Sequence, residues 1–197
     1  MNEKQKNVLK KAIYAVLFIA MIGAFIYLSE KYKSNADDPV RLISDYYDIK
    51  LDNDKYPIIT GGGFINLIQK GKGLVIVGSK TSSWSKEFVK QIDIATEELG
   101  VDKVYYYDLN SDKNQKNSNY YKIKELLSGS LTTTDGSKNN LLAPSFYIID
   151  DGEVKYYNVD TVAMKNTIKV EDYWSEEKKL EFKEEIQDAI NKYYLNN

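Results

Sequence analysis

Beyond residue 55, short apolar runs alternate with longer runs that mix apolar and polar residues. Runs of β-branched and aromatic residues predict strands at residues 56–60, 74–77, 104–107, 145–149 and 154–159. Apolar residues spaced three and four apart predict helices around residues 64–68, 86–99 and 120–127, and after Ser175. Because strands and helices alternate before a final hairpin turn at Asp151-Gly152, the pattern predicts an α/β domain with parallel core strands and an antiparallel terminal pair.

Glycine and polar residues mark the connections between these elements. Gly61-Gly62-Gly63 lacks the Lys-Ser/Thr pair of a phosphate-binding loop, and we interpret it as a turn that breaks the chain. The oxygen spacing with which calcium-binding loops begin occurs at Asp108, Asn110, Asp112 and Asn114. Because Lys113 stands where such a loop needs glycine and Asn119 where it needs an acid, we predict a solvated loop without a metal.

The N-terminal region carries a long apolar run. Residues 12–28, AIYAVLFIAMIGAFIYL, include no charged residue, and 17 residues are at the lower limit for a membrane-spanning helix. A cluster of positive charges precedes this run, at Lys4, Lys6, Lys10 and Lys11. The positive-inside rule then predicts a single-pass signal-anchor with the N-terminus in the cytoplasm and the remaining chain outside. A cleaved signal peptide ending near Ser34-Asn35-Ala36 is the alternative that the sequence leaves open.

A length of 197 residues suggests one domain with appendages. Polar residues 29–40 are typical of a tether between the apolar run and the domain. We therefore predict a cytoplasmic tail at residues 1–11, a transmembrane signal-anchor at 12–28, a tether at 29–40 and an extracytoplasmic domain at 41–197.

Charge and composition exclude several functions. The formal net charge is −2, and six lysines against two glutamates in residues 1–33 give +4 there, which leaves −6 on the rest. An acidic domain argues against nucleic-acid binding. The chain has no Cys and no His, which removes disulfides, thiolate nucleophiles, Cys-based zinc sites and the commonest metal ligand. We expect no cofactor and no metal.

The turn after the apolar run 74–77 has the strand–turn–helix setting in which a redox dithiol normally lies. Ser82 and Ser85 have the spacing of a Cys-x-x-Cys pair, but a serine hydroxyl cannot form an S–S bond. The plainest interpretation is that these serines cap the following helix. A Ser–Lys nucleophile using Lys80 or Lys86 is conceivable, although nothing in the sequence indicates a desolvated lysine.

The order of elements and this motif resemble the thioredoxin fold, and most closely bacterial thioredoxin-like proteins of the bacteriocin transport accessory type. The motif is carried by Gly78, Thr81, Ser82, Ser83, Trp84, Ser85, Lys86 and Phe88. The resemblance implies a three-layer α/β/α fold with a mixed sheet, and it implies that Ala143-Pro144 matches the cis-proline pair that contacts extended substrates. The chain departs from the family in its serines, and in Ile76, where classical thioredoxins have a buried acid.

Two functions remain open. The first is a redox-inactive accessory module without catalytic residues, in which Trp84, Ala143 and Pro144 bind an extended peptide or a membrane protein partner. A role in secretion or export at the bacterial cytoplasmic membrane is implied by the resemblance alone. The second is a thiol–disulfide oxidoreductase, which requires that Ser82 and Ser85 replace natural cysteines.

Overall fold

The computed structural model of the protein describes residues 54–115, 117–131, 140–159 and 168–196, together with Gln5, Tyr14, Met21 and Tyr47. The predicted membrane segment 12–28 lies outside the described residues apart from Tyr14 and Met21, and the tail and tether lie outside them almost entirely. Within the described residues, no helix combines the length and apolarity needed to cross a bilayer. The chain divides into two compact units, Met1–Pro39 and Val40–Asn197, and the elements below belong to the second.

The described part of the chain contains a mixed four-stranded sheet. Its strands are β1 (Gly73–Gly78), β2 (Tyr105–Asp108), β3 (Ser145–Asp150) and β4 (Glu153–Val159). They lie in the order β2-β1-β3-β4, with β1 parallel to β2 and antiparallel to β3, and with β4 antiparallel to β3. The predicted parallel pair and terminal hairpin are thereby confirmed, and the hairpin turns through Asp151 and Gly152, both with positive φ.

The segment predicted as a first strand at 56–60 runs along the outer edge of β2. It forms an isolated parallel bridge, in which the Tyr106 N–H donates to the Pro57 carbonyl at 3.0 Å and the Ile59 N–H donates to the Tyr106 carbonyl at 2.9 Å. One step earlier, the Val104 N–H donates to the Lys55 carbonyl, but Pro57 has no N–H to return the bond. The proline therefore limits this segment to a single bridge and keeps it from extending the sheet as a regular strand.

Helices flank the sheet on both faces. They are α1 (Gly61–Lys70), α2 (Ser83–Glu98), α3 (Leu109–Lys113), α4 (Ser118–Leu126), α5 (Val170–Tyr173) and α6 (Glu176–Ile190). A 3₁₀ turn spans Ser128–Ser130 and a π-helical turn spans Asn191–Leu195. Apolar periodicity predicts the four longer helices, whereas α3 and α5 are too short to show a period.

The triglycine at 61–63 begins α1, so the prediction of a chain-breaking turn there is wrong. Thr60 caps the helix, and its hydroxyl accepts a hydrogen bond from the Gly63 N–H at 3.2 Å. A Cβ at Gly61 would overlap the Asp112 carboxylate and the Asn119 side chain. The glycine therefore allows α1 to approach α3 and α4 closely, and the threonine cap compensates for its poor helix propensity.

Two apolar clusters occupy opposite faces of the sheet. Because side chains alternate along a strand, β1 supplies Leu74 and Ile76 to one cluster and Val75 and Val77 to the other. The first cluster is covered by α2 and α6, and the second by α1 and α4. All six residues of β1 are buried, as the continuous apolar run predicts. The three layers, the strand order and the strand directions are those of a thioredoxin-like fold.

We predict that Gly78→Ala destabilises the domain by about 1–3 kcal/mol, because the added Cβ would overlap the Tyr106 ring and hydroxyl. Tyr106 is buried, and its hydroxyl lies 2.7 Å from that of Tyr47, so it cannot move aside freely. Urea unfolding of the full chain in mild detergent, followed by tryptophan fluorescence, measures the change. Gly129→Ala is the control, because no atom of the described residues lies within 4 Å of its Cβ position. Equal effects of the two substitutions would contradict the packing described for Gly78.

Candidate functional site

The structure brings the two halves of the predicted site to one end of the sheet. Ser145 at the start of β3 pairs with Val77 near the end of β1, so Ala143-Pro144 lies beside the turn that follows Gly78. That turn leads directly into α2, whose second residue is Trp84. The Ala143-Pro144 peptide bond is cis, with Pro144 buried and Ala143 half-buried.

Ser82 is the N-cap of α2. Its backbone is extended, with φ −96° and ψ 123°, and its hydroxyl accepts a hydrogen bond from the Ser85 N–H at 3.3 Å. Its carbonyl accepts the first intrahelical bond, from the Lys86 N–H at 3.0 Å. The prediction that this serine caps the helix is therefore confirmed, and the cap moves the start of α2 three residues ahead of the predicted Lys86.

Ser85 has a different role from Ser82, because its side chain is completely buried. Its hydroxyl accepts a hydrogen bond from the Ser79 N–H at 3.1 Å. The Ser79 carbonyl in turn accepts from the Ser82 N–H at 2.9 Å, which closes the turn between β1 and α2. The hydroxyl of the second serine of the predicted motif thus fastens the turn to the helix.

Residues from three other segments complete a polar network around Ser79. The Tyr47 hydroxyl donates to the Ser79 carbonyl at 2.9 Å, and the Asn110 side-chain amide donates to the Ser79 hydroxyl at 2.7 Å. Since the Tyr47 proton is used in this way, the Tyr106 hydroxyl is the donor in the 2.7 Å contact between the two tyrosines. The sequence does not predict this role of Tyr47, Ser79 and Asn110, because no local pattern joins residues so far apart in the chain.

The titratable groups around this network are held in their neutral or paired states. Burial raises the pKa of Tyr47 to about 12, and burial also raises the pKa of Tyr106. Burial raises the pKa of Asp108 as well, against the opposing effects of the Asn110 N–H and of the Lys80 ammonium at 3.9 Å. At neutral pH the two tyrosines are therefore hydrogen-bonding groups, and neither is a base that could activate a serine.

Trp84 is half-buried and lies against a second aromatic residue on the surface. Its ring centroid is 5.3 Å from that of Tyr173, with the planes tilted by 52°. Tyr173 contacts Trp174 at 5.3 Å, and Trp174 packs on Phe182 at 5.1 Å. Trp84 is thus the outer end of an aromatic row that extends into the core beside α6. The only signal of this row in the sequence is the adjacent aromatic pair Tyr173-Trp174, which does not by itself predict contact with Trp84.

The acidic residues that follow β2 serve the fold. Asp108 caps α3, its carboxylate accepting from the Asn110 N–H at 3.1 Å, and buried Asp112 accepts from the Tyr107 hydroxyl at 2.9 Å. The prediction of a solvated loop here is wrong, because these local hydrogen bonds form a short helix. Among the described residues, no group of three or more carboxylates is placed to hold a metal ion.

Comparisons with known proteins supply neither a family nor a function. No protein-family model matches the chain, and no curated protein matches it. Among solved structures it is similar to oxidised thioredoxin O2 from Arabidopsis thaliana, at 12% identity and a TM-score of 0.33, over 63% of this chain and 98% of that one. The order and directions of the strands define the fold class.

We predict that Ser85→Ala destabilises the domain by about 1–3 kcal/mol, because the Ser79 N–H would lose its acceptor in a partly buried turn. The full chain in mild detergent can be unfolded in urea to measure this change. Ser83→Ala is the matched control, since Ser83 is exposed on the same helical turn and should change stability by less than about 0.5 kcal/mol. A Ser85→Ala effect as small as that of Ser83→Ala would show that the hydroxyl is dispensable.

We also predict that stability falls in alkaline solution. The pKa of Tyr47 is raised to about 12 in the folded chain, whereas tyrosines of the unfolded chain ionise near pH 10. A raised folded pKa contributes stability that is complete below about pH 10 and is lost as the pH rises toward about 12. Thermal unfolding and tyrosinate absorbance measured across this range test the prediction. Ionisation of every tyrosine near pH 10 in a chain that stays folded would contradict it.

Proposed function

We propose that the protein is a redox-inactive, thioredoxin-like binding module. It holds an extended peptide segment of a partner on the surface formed by Trp84 and the Ala143-Pro144 loop. The observation that carries this proposal is the buried Ser85 hydroxyl, which is committed to the Ser79 N–H while Trp84 on the same helical turn is partly exposed. The residue at the thiol position is structural, and its neighbour is available for contact.

The chemistry of the site supports binding over catalysis. Disulfide exchange needs a thiolate, and the chain has no cysteine. A serine nucleophile would need a nearby base, yet the Ser85 hydroxyl is inaccessible and Lys80 is placed beside Asp108. The Ser82 hydroxyl is engaged with the Ser85 N–H as a helix cap. These hydrogen bonds hold the N-terminal end of α2 in place, and none of these contacts activates a serine hydroxyl as a nucleophile.

The surface chemistry supports an extended peptide as the ligand. Trp84 and Tyr173 are both half-buried and in contact, so they offer a rigid aromatic platform at low entropic cost. The Ala143-Pro144 loop lies at the same end of the sheet, at the beginning of β3. A peptide that crosses this end would contact the platform on one side and the loop on the other.

The proposed location is the outer face of a bacterial cytoplasmic membrane. Residues 12–28 would anchor the chain, the lysine cluster before them would remain inside, and the domain at 41–197 would lie outside. The partner would then be an exported peptide or a membrane protein. The link to secretion or export comes from the resemblance to accessory-type thioredoxin-like proteins.

Site-specific photocrosslinking in the native cells tests this function. We place p-benzoylphenylalanine at exposed Ser83, next to Trp84, and expect a crosslinked polypeptide partner. Trp84→Ala should lower the yield at least about fivefold, because aromatic anchors dominate such contacts. Trp84→Phe keeps a ring against Tyr173 and should retain most of the crosslinking.

The control places the same crosslinker at Tyr121, which is 55% exposed on α4, across the sheet from α2. A partner captured equally from both positions, or captured from Ser83 regardless of Trp84, would reject the proposed surface. Reduction of insulin disulfides by the full chain would reject the redox-inactive assignment.

A further inference from the structure

A groove of about 390 Å³ lies between the start of α2 and the α5–α6 segment. Ser83, Lys86 and Lys90 line it from α2, and Glu171, Trp174 and Lys179 line it from the other side. It adjoins the platform described above, because Ser83 precedes Trp84 and Tyr173 precedes Trp174. A peptide held at Trp84 would therefore pass close to this groove.

The groove contains one lysine without an ion-pair partner among the described residues. Three lysines, Lys86, Lys90 and Lys179, line it against two glutamates, Glu87 and Glu171. Lys179 is paired at 2.8 Å with Glu176, which does not line the groove. Glu87 is already engaged, by the Gln91 amide at 2.8 Å and by Lys90 at 3.5 Å. Lys86 forms no ion pair with any residue that the structure describes. The groove thus has an ammonium group available for an anion.

The start of α2 adds to this preference for an anion. The helix is 16 residues long and has no acidic side chain in its first turn. No acidic side chain in the first turn of α2 therefore compensates the positive end of the helix dipole, and Lys86 adds a further positive charge there. An anionic group bound in the groove would be stabilised by both.

An independent indication comes from Trp174, which is 4% exposed and lines the same groove. Its indole Nε1–H is buried and donates to no acceptor among the described residues. The ring is fixed by edge-on contacts with Phe88 at 6.5 Å and Phe182 at 5.1 Å. An unmatched buried donor is unfavourable, so an acceptor supplied by a ligand would be stabilising.

The other unmatched buried group among the described residues is the Tyr147 hydroxyl. It belongs to the apolar cluster on the opposite face of the sheet, and Tyr147 does not line the groove. Among the described residues, an unmatched buried side-chain donor and a lysine without an ion-pair partner therefore line the same groove beside Trp84, as Trp174 and Lys86.

We propose that this groove binds a carboxylate of the partner peptide. The Lys86 ammonium pairs with the carboxylate, and the Trp174 Nε1–H donates to one of its oxygens after a small displacement of the groove side chains. Because Lys90 is paired with Glu87 and Lys179 with Glu176, Lys86 is the groove lysine left to pair with a bound carboxylate. This inference rests on the proposed peptide-binding function, and it adds that the bound segment has an acidic residue beside the part held at Trp84.

Indole NMR of the full chain in detergent micelles tests the inference. The chain has two tryptophans, so ¹⁵N-indole labelling gives two N–H signals, which Trp84→Phe assigns. The probe is N-acetyl-Glu-Glu-Glu-amide, and the control peptide is N-acetyl-Gln-Gln-Gln-amide. We expect the acidic peptide alone to move the Trp174 signal downfield with saturation, because a charged acceptor strengthens the hydrogen bond.

Matched lysine variants distinguish binding of the peptide in the groove from nonspecific attraction between the acidic peptide and positive charge elsewhere on the protein. Lys86→Gln should weaken the acidic peptide's affinity about tenfold, as the loss of one charge-assisted contact predicts. Lys103→Gln removes an equal charge from an exposed position between α2 and β2 and should leave the titration unchanged. A Trp174 signal that stays fixed, that responds equally to both peptides, or that is equally sensitive to both lysine variants overturns the inference.

Two further outcomes are informative. If phosphatidylglycerol added to the micelles moves the Trp174 signal and the acidic peptide does not, the groove binds lipid headgroups and the carboxylate inference is overturned. Failure of the titration alongside Trp84-dependent crosslinking rejects the carboxylate site alone. A positive titration without Trp84-dependent crosslinking supports the carboxylate site and rejects the proposed peptide surface.

Discussion

The hydrogen bond from the Ser79 N–H to the Ser85 hydroxyl joins the end of the central strand to the first turn of α2. The other polar groups of Ser79 extend this constraint, because its carbonyl accepts from Tyr47 and its hydroxyl accepts from Asn110. Each bond contributes only about 1 kcal/mol, but leaving any of these partly buried groups unmatched would cost more. The orientation of α2, and with it the position of Trp84, depends on this closed set of bonds.

In dithiol proteins the same turn must leave sulfur accessible for exchange. Here the second position points its hydroxyl into the structure, and the first position satisfies a free N–H at the start of the helix. The surface next to them is aromatic and partly exposed, and the groove beyond it contains Lys86. Under the proposed function, the same end of the fold contacts a polypeptide and needs no reactive group to do so.

Local patterns were sufficient to predict much of this fold. The β1 and β3 strands are continuous apolar runs, the hairpin has an Asp-Gly turn, and α2 and α6 have clear helical periods, so each leaves a signal in adjacent residues. The start of α1 at Gly61 could not be predicted from propensity, because a threonine cap outweighs three glycines. The contacts of Tyr47 with Ser79 and of Trp174 with α2 join distant segments, and a single sequence contains no local signal for them.

The burial of the residue at position 85 limits which side chains can stand there. Sulfur is larger than oxygen and a weaker hydrogen-bond acceptor, so a cysteine introduced there would crowd its neighbours and weaken the hydrogen bond from the Ser79 amide. Introducing a dithiol at positions 82 and 85 would therefore require coordinated changes in the residues around Ser79 as well as two altered codons. Selection for stability alone would oppose the first of these changes.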